Sequence, residues 1–431
     1  MAFGVTTYKK TNRVWTMSHI YNASTDRLRR FLYPAVALLC LSLSAVPVLA
    51  ADGAAWVTAW GTSQQNLGQT VISNASVRMM ARITVPGQSV RIRLDNAYGS
   101  EPLAISSAFV GQRMAGAELV PDSNQRLLFG GLTTVTIPAG GSVQSDAVTM
   151  QVQAYQDLAI SLHTPGTGVQ PSQHAGALVT SYLSANGSGD VTGSISGEEF
   201  TETTASMFWL KSVDVLTDSA DSVIVGFGDS ITDGTCTTLD GHDRWQDWLG
   251  YRLNVNAGAN GQGYTAIVNE GIGGNTVIRA GLQPAPASTP GTERLQRDVL
   301  SHAGVTHVVL FMGTNDIRRG ASAASVIEGV EQIVRQLKAR GLKVIAATII
   351  PRHNTPPGST FVWDSSKTAI RNEVNQWIRS EADFDAVLDF DRVVHDSDPN
   401  RIFPAYNCDG IHPNVLGYYE MGRQIPLELF R

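Results

Sequence analysis

The chain has 431 residues, 43% hydrophobic and 16% charged, with 32 Lys and Arg against 38 Asp and Glu for a formal net charge of -6. A chain of this length builds two or three parts, each able to bury a core. Its acidic balance, with no basic run beyond short pairs, argues against a nucleic-acid partner.

The first segment reads as a leader. Arg27, Arg29 and Arg30 precede an apolar stretch over 31–48, which closes on Val48-Leu49-Ala50. That is a positive n-region, an apolar h-region and a small-residue cleavage site. It predicts a signal peptide over 1–50, with a long n-region in which Met17 offers a second start. The mature chain is then secreted or periplasmic, with no stable membrane insertion. The alternative is an uncleaved anchor, but the stretch is barely long enough to span and contains Pro34 and Pro47. Cys40 follows Leu39, not the small residue a lipoprotein site needs.

Residues 51–218 read as β-rich. Val90, Ile92 and Leu94 alternate with Arg91, Arg93 and Asp95, and Leu158, Ile160 and Leu162 alternate likewise. Turn chemistry recurs at Pro86-Gly87, over 96–99 and over 138–141. This pattern predicts a β-sandwich or jelly-roll-like domain. The Gly-, Ser- and Thr-rich stretch 181–206 reads as a long loop.

From Asp221 the pattern changes, and 219–431 reads as an α/β domain. Apolar runs over 222–227, 306–312, 343–350 and 386–390 predict buried strands. Helices are expected over 247–253, 322–340 and 366–380. The second has Val326, Val330, Ile333, Val334 and Leu337 on one face and Gly341 as its stop. The alternation predicts a parallel sheet with helices on both faces, whose chemistry gathers at the carboxyl ends of the strands.

Four short motifs fall in the loops of this second part. They are Gly228-Asp229-Ser230, Asn269-Glu270-Gly271-Ile272-Gly273-Gly274-Asn275, Gly313-Thr314-Asn315-Asp316, and Asp409-Gly410-Ile411-His412-Pro413. Ser230 at a strand-to-helix turn suits a nucleophile, although Asp229 and Ser230 also suit a plain helix cap. His412 is the candidate base, with Asp409 one turn of chain away to orient its ring; the plain alternative is a surface loop. The backbone N–H groups of Gly274 and Ser230 and the Asn315 side chain suit an oxyanion hole. Tight turns and caps are their plain alternatives. Gly228, Asp229 and Asp316 are expected to shape loops. No G-x-S-x-G sequence occurs, which argues against an ordinary α/β-hydrolase elbow. No H-E-x-x-H or Cys/His cluster points to a metal. Cys236 and Cys408 flank the first and last motifs. If those motifs meet in an oxidising compartment, a disulfide is expected; the alternative is two buried thiols.

Taken together, the motifs resemble blocks I, II, III and V of the SGNH, or GDSL-type, hydrolases, and the resemblance covers about 221–431. The first block reads Gly-Asp-Ser-Ile where the family has Gly-Asp-Ser-Leu. Ile231-Thr232-Asp233-Gly234, Arg244-Trp245 and the leading Trp56-Val57-Thr58-Ala59-Trp60-Gly61 are similar to a secreted subgroup with a β-rich first domain. The resemblance implies a flavodoxin-like three-layer α/β/α domain and ester hydrolysis through an acyl-enzyme. It makes Ser230 the nucleophile, His412 the base and Asp409 its partner, with Ser230, Gly274 and Asn315 as oxyanion donors, and implies no metal or organic cofactor. The expected substrate is a small-molecule or glycan ester with a short acyl group, acetyl included. Trp245, Trp248 and Trp363 are either sugar-stacking surfaces or ordinary core. Lipase or thioesterase activity, or a non-catalytic secreted carbohydrate-binding protein, are the alternatives.

Overall fold

The computed structural model describes residues 53–259, 261–355 and 362–430. The leader expected over 1–50 lies outside the described residues. Among those residues, no helix is long and apolar enough to cross a membrane.

The first part is built from antiparallel strands in two main sheets. One places Leu210–Thr217 between Ala55–Gly61 and Gly87–Asp95, with Ser142–Gln144 and Val148–Val152 on the outer side of Gly87–Asp95. The other centres on Ala75–Arg82 and Asp157–Thr164, which pair along their full length, with Ser107–Ala115 on the far side of the latter. The alternation at Val90, Ile92 and Leu94 sends all three inward, each with no exposure, while Arg91 and Arg93 face outward. The stretch 181–206 is not a loop throughout. Ser181–Leu183 and Glu202–Thr204 pair with each other and extend the second sheet. Tyr182 and Leu183 pair with Arg78 and Val77 at the edge of Ala75–Arg82, and Glu202–Thr204 pairs on their far side.

The second part is a five-stranded parallel sheet. Its strands are β1 (Ala220–Gly228), β2 (Tyr264–Gly271), β3 (His307–Phe311), β4 (Lys343–Ala347) and β5 (Ala386–Leu388), in the order β2-β1-β3-β4-β5. The runs are apolar throughout because both faces are covered. Val223, Val225, Val308, Leu310, Val344 and Ala346 pack into one cluster with α5 (Ala323–Lys338) and α6 (Ser365–Ser380). Ile224, Val309, Phe311 and Ile345 pack into another with α2 (Trp245–Asn254) and α8 (Val415–Gln424). This is the three-layer α/β/α arrangement. α5 buries the expected apolar face, Ser322 caps it through Ser325 N, and Gly341 follows it at φ +71°. β4 ends at Ala347 and β5 at Leu388, earlier than the apolar runs; the latter is cut short where the chain enters α7 (Phe390–Val394).

The two parts share one contact unit, 50–431. The cluster beneath α5 is continuous with the core of the antiparallel sheets. Thr58 exchanges hydrogen bonds with Ala303 at 3.0 and 2.9 Å, and Thr84 Oγ1 accepts from Ile267 N on the β2 edge at 2.9 Å.

Candidate active site

All four motifs sit at the carboxyl edge of the parallel sheet. β1 ends at Gly228, where a Cβ would collide with Thr232 Oγ1 and the Phe311 carbonyl. A glycine is therefore needed for the next turn to fold back against β3. Asp229 caps that turn by accepting from Ile231 N at 3.0 Å, and α1 (Ser230–Asp233) begins at Ser230. Burial pushes the Asp229 carboxyl up to about 6, against the pull of the Ile231 N–H and the nearby His412 and Arg352.

Ser230 Oγ lies 2.8 Å from His412 Nε2, and His412 Nδ1 lies 2.8 Å from Asp409 Oδ2. Asp409 also accepts from the backbone N–H groups of Ile411 and His412 at 3.0 and 2.9 Å. Burial opposes its charge, but the His412 ring and these N–H groups outweigh it and hold the carboxyl below the ordinary range. An ionised Asp409 assigns the proton to Nδ1 and leaves Nε2 free to accept from the serine hydroxyl. This is the relay a weak hydroxyl nucleophile needs.

The expected oxyanion donors come from neighbouring loops. Gly274 follows β2 at φ +72°, a conformation that favours glycine. Asn315 lies in α4 (Thr314–Arg318), whose cap is Gly313, so it is not itself the cap. One of its amide hydrogens goes to Asn275 O at 3.0 Å, which fixes the plane of the amide and leaves the second hydrogen for a ligand. Asn315→Ala should lower kcat by ~10²–10³. Initial-rate kinetics check this, and a wild-type kcat would remove Asn315 from the hole.

Cys236 and Cys408 form the disulfide, with 6.5 Å between their Cα atoms. It ties the loop after Ser230 to the loop that carries His412. Cys236, Asp409 and His412 lie together, but the Cys236 sulfur is bonded to Cys408 and both His412 nitrogens are engaged. The bond closes a loop spanning 172 residues of sequence, so its removal in Cys236→Ser/Cys408→Ser should cost roughly 3–5 kcal/mol. Denaturant melts check this, and an unchanged midpoint would mean that the bond does not form in solution.

Arg294, Lys211 and Asp298, which hold these loops, had no motif to mark them, whereas Glu270 and Asp316 stand in two of the four motifs. Arg294 in α3 (Gly291–Leu295) is 1% exposed. Its guanidinium donates to Gly228 O and Glu270 O at 2.9 Å, and to Asn275 Oδ1 at 3.1 Å. One side chain thus grips the ends of β1 and β2 and the residue after Gly274. Behind it lies a buried charge cluster: Lys211 with Glu270 and Asp298 at 2.7 and 2.9 Å, and Arg294 with Asp298 at 3.2 Å. Burial opposes charge on Glu270 and Asp298, but Lys211 and the other cations outweigh it and hold both below the ordinary carboxylate range. Asp316 accepts from Val277 and Ile278 N–H at 2.9 and 3.0 Å and so joins blocks II and III, while burial pushes its carboxyl up to about 7.

Asp233 accepts from Gly273 N at 3.0 Å and meets His174 Nε2, from the antiparallel part, at 2.9 Å. His174 Nδ1 faces Ser63 O at 2.8 Å. Both ring nitrogens thus face acceptors. Although burial opposes charge, Asp233 outweighs it and raises the pKa of His174. Asp233 stands in the stretch Ile231-Thr232-Asp233-Gly234 that resembles the secreted subgroup, but nothing in the sequence pointed to its partnership with His174. Of the tryptophans, Trp245 and Trp363 are 0% and 1% exposed. Trp248 sets its edge against Tyr251 and Tyr419. Trp245 and Trp363 are core and not sugar-stacking surfaces.

A serine, histidine and carboxylate in hydrogen-bonded series, at the carboxyl edge of a flavodoxin-like sheet, define a serine hydrolase of the three-layer α/β/α class. Residues 227–419 match the model of the GDSL-like lipase/acylhydrolase family, and the protein is a carboxylic ester hydrolase. No curated protein matches the chain. It is similar to the aryl esterase of M. smegmatis, at 22% identity over 47% of this chain and 95% of that one, with a TM-score of 0.37. It is also similar to a lipolytic G-D-S-L family member of Veillonella parvula (20%, 47% and 94%, 0.35). A third such structure is Est24, a carbohydrate acetylesterase of Sinorhizobium meliloti (19%, 47% and 95%, 0.35).

Proposed function

We propose that the protein is a secreted serine esterase that removes short acyl groups, acetyl included, from polar alcohols such as carbohydrates. The observation that carries the mechanism is the unbroken series Asp409, His412, Ser230 at 2.8 Å per link. Ser230 Oγ attacks the ester carbonyl as His412 Nε2 takes its proton. The oxyanion accepts from Ser230 N–H, Gly274 N–H and the free Asn315 amide hydrogen. His412 then protonates the leaving alcohol, and an acyl-enzyme remains. A water deprotonated by His412 attacks the acyl carbon, and the acid departs as Ser230 recovers its proton.

The short-acyl reading is supported by the polar make-up of the expected oxyanion loop, where the Asn315 amide donates to Asn275 O at 3.0 Å. The disulfide supports an oxidising compartment. The domain division at 51–218 and 219–431 is proposed as a body and its support, not as an enzyme and a separate binder. Ser63 accepts from Arg294 Nη1 at 2.9 Å, and Tyr98 OH lies 2.9 Å from Thr289 Oγ1, whose backbone carbonyl accepts from Asn275. With His174, these residues back the oxyanion loop from the antiparallel side, which argues against a free carbohydrate-binding module.

Hydrolysis rates on p-nitrophenyl acetate, butyrate and octanoate test the reading. Serine-dependent rates should fall with chain length. A maximum at octanoate would favour a lipase-like site instead.

A further inference from the structure

Arg352 stands just beyond β4, at the same edge of the sheet as Ser230. It is 4% exposed, and its guanidinium lies 5.1 Å from the Trp363 ring centroid. Its buried Nε has no hydrogen-bond partner among the described residues, and no carboxylate among them forms an ion pair with it. The charges that act on it come from three segments: Arg318 at the end of α4, Asp409, and Asp229 beside Ser230. Both carboxylates are committed elsewhere, Asp409 to His412 and Ile411, and Asp229 to the α1 cap. Burial, with Arg318 nearby, pushes the guanidinium down to about 10, so it stays cationic at neutral pH. A buried cation without a bonded anion is costly, and an incoming anion relieves that cost.

The sheet order says which half of the ester brings the anion. Gly274 follows β2, on one side of β1. Arg352 follows β4 and His412 lies beyond β5, both on the other side. His353 N donates to Gly410 O at 2.8 Å, which ties the Arg352 segment to the His412 loop. His412 protonates the leaving alcohol, so Arg352 lies on the alcohol side.

We propose that Arg352 recognises a carboxylate carried by the alcohol half of the ester, so that the substrates are acylated hydroxy acids, with O-acyl uronates as their carbohydrate form. This rests on the serine-esterase reading and narrows it.

The test compares wild type, Arg352→Lys and Arg352→Met on 4-acetoxybenzoate, on its neutral counterpart phenyl acetate, and on mono-p-nitrophenyl succinate, which carries the anion in its acyl half. Arg352→Met should lose about 10–100-fold more kcat/KM on 4-acetoxybenzoate than on phenyl acetate, chiefly through KM, and Arg352→Lys should recover part of it. Unmodified protein supplies a second readout that does not depend on a variant folding. 4-Hydroxybenzoate should inhibit phenyl acetate hydrolysis competitively and more strongly than phenol does, with the difference shrinking as salt is added. Equal losses on the charged and neutral esters would make Arg352 a countercharge for Asp409 and Asp229, and a loss confined to the succinate would move the anion to the acyl half. Either result overturns the proposal. Absence of turnover on phenyl acetate by wild type would instead remove the esterase reading beneath it. Acetylated polygalacturonate against acetylated xylan then separates a uronate polymer from a small hydroxy acid.

Discussion

Ser230→Ala should lower kcat on p-nitrophenyl acetate by ~10⁴ or more while leaving the fold in place. Ser230 is 8% exposed, and its hydroxyl bonds to His412 at the rim of the sheet, outside the apolar clusters. Removing one oxygen there opens no core cavity, so the melting midpoint should shift by no more than about 1 kcal/mol of stability. His412→Ala should cost nearly as much activity, because a serine without its base is a neutral hydroxyl. The two losses should not add, since both residues act in one proton transfer. Steady-state kinetics on the two single variants and the double variant check this. Losses that multiply would mean that Ser230 and His412 do not act as a unit.

Arg294 carries the second large effect, and it separates stability from catalysis. Arg294→Met strips a buried guanidinium from Gly228, Glu270 and Asn275 and takes one cation from Asp298. The expected cost is about 3–5 kcal/mol, the range for breaking one side of a buried pair. Arg294→Lys is the sharper test. Lys keeps the charge beside Asp298, but an ammonium cannot span acceptors on β1, β2 and the Gly274 loop as the planar fork does. The oxyanion loop should then shift relative to Ser230. The expected result is a fall in kcat of about 10²-fold with little change in KM, because a displacement of the order of 1 Å spoils transition-state geometry more than binding. A wild-type kcat in a well-folded Arg294→Lys protein would show that the clamp does not position the loop.

What was legible in the sequence is what local chemistry encodes. The alternation at Val90, Ile92 and Leu94 and the apolar runs around 222–227 and 306–312 carry their own burial pattern. Each of the four motifs is contiguous, so its residues announce themselves by spacing. The disulfide was expected only if the first and last motifs met, and the structure brings Ser230, His412 and the two cysteines together. What was not legible depends on distant partners. Arg294 reaches Gly228 across 66 positions and Ser63 across 231, and a helix of ordinary charged residues gives no hint of that. The link between His174 and Asp233 joins the two parts and has no periodicity to betray it. Over 181–206, two three-residue strands form inside a Gly- and Ser-rich stretch because a neighbouring edge is open to them. Trp245 and Trp363 read equally as core or platform, because a tryptophan carries both an apolar body and a polar tip.

These long-range contacts also recast the role of the antiparallel part. Its Ser63, Tyr98 and His174 bond Arg294, Thr289 and Asp233, and each of those three bonds Gly273 or Asn275. On the proposed mechanism the carboxyl edge of the parallel sheet supplies the reacting groups and the neighbouring sheets support the loop of Gly274, and preorganised donors derive their effect from not having to reorganise.

The most direct test is to trap the acyl-enzyme. Protein quenched in acid during p-nitrophenyl acetate turnover, digested and sequenced by mass spectrometry, should carry one acetyl group on Ser230, with none at that position in the Ser230→Ala protein. Continued hydrolysis with no adduct on Ser230, or with the acetyl group on another residue of the intact enzyme, would contradict the account.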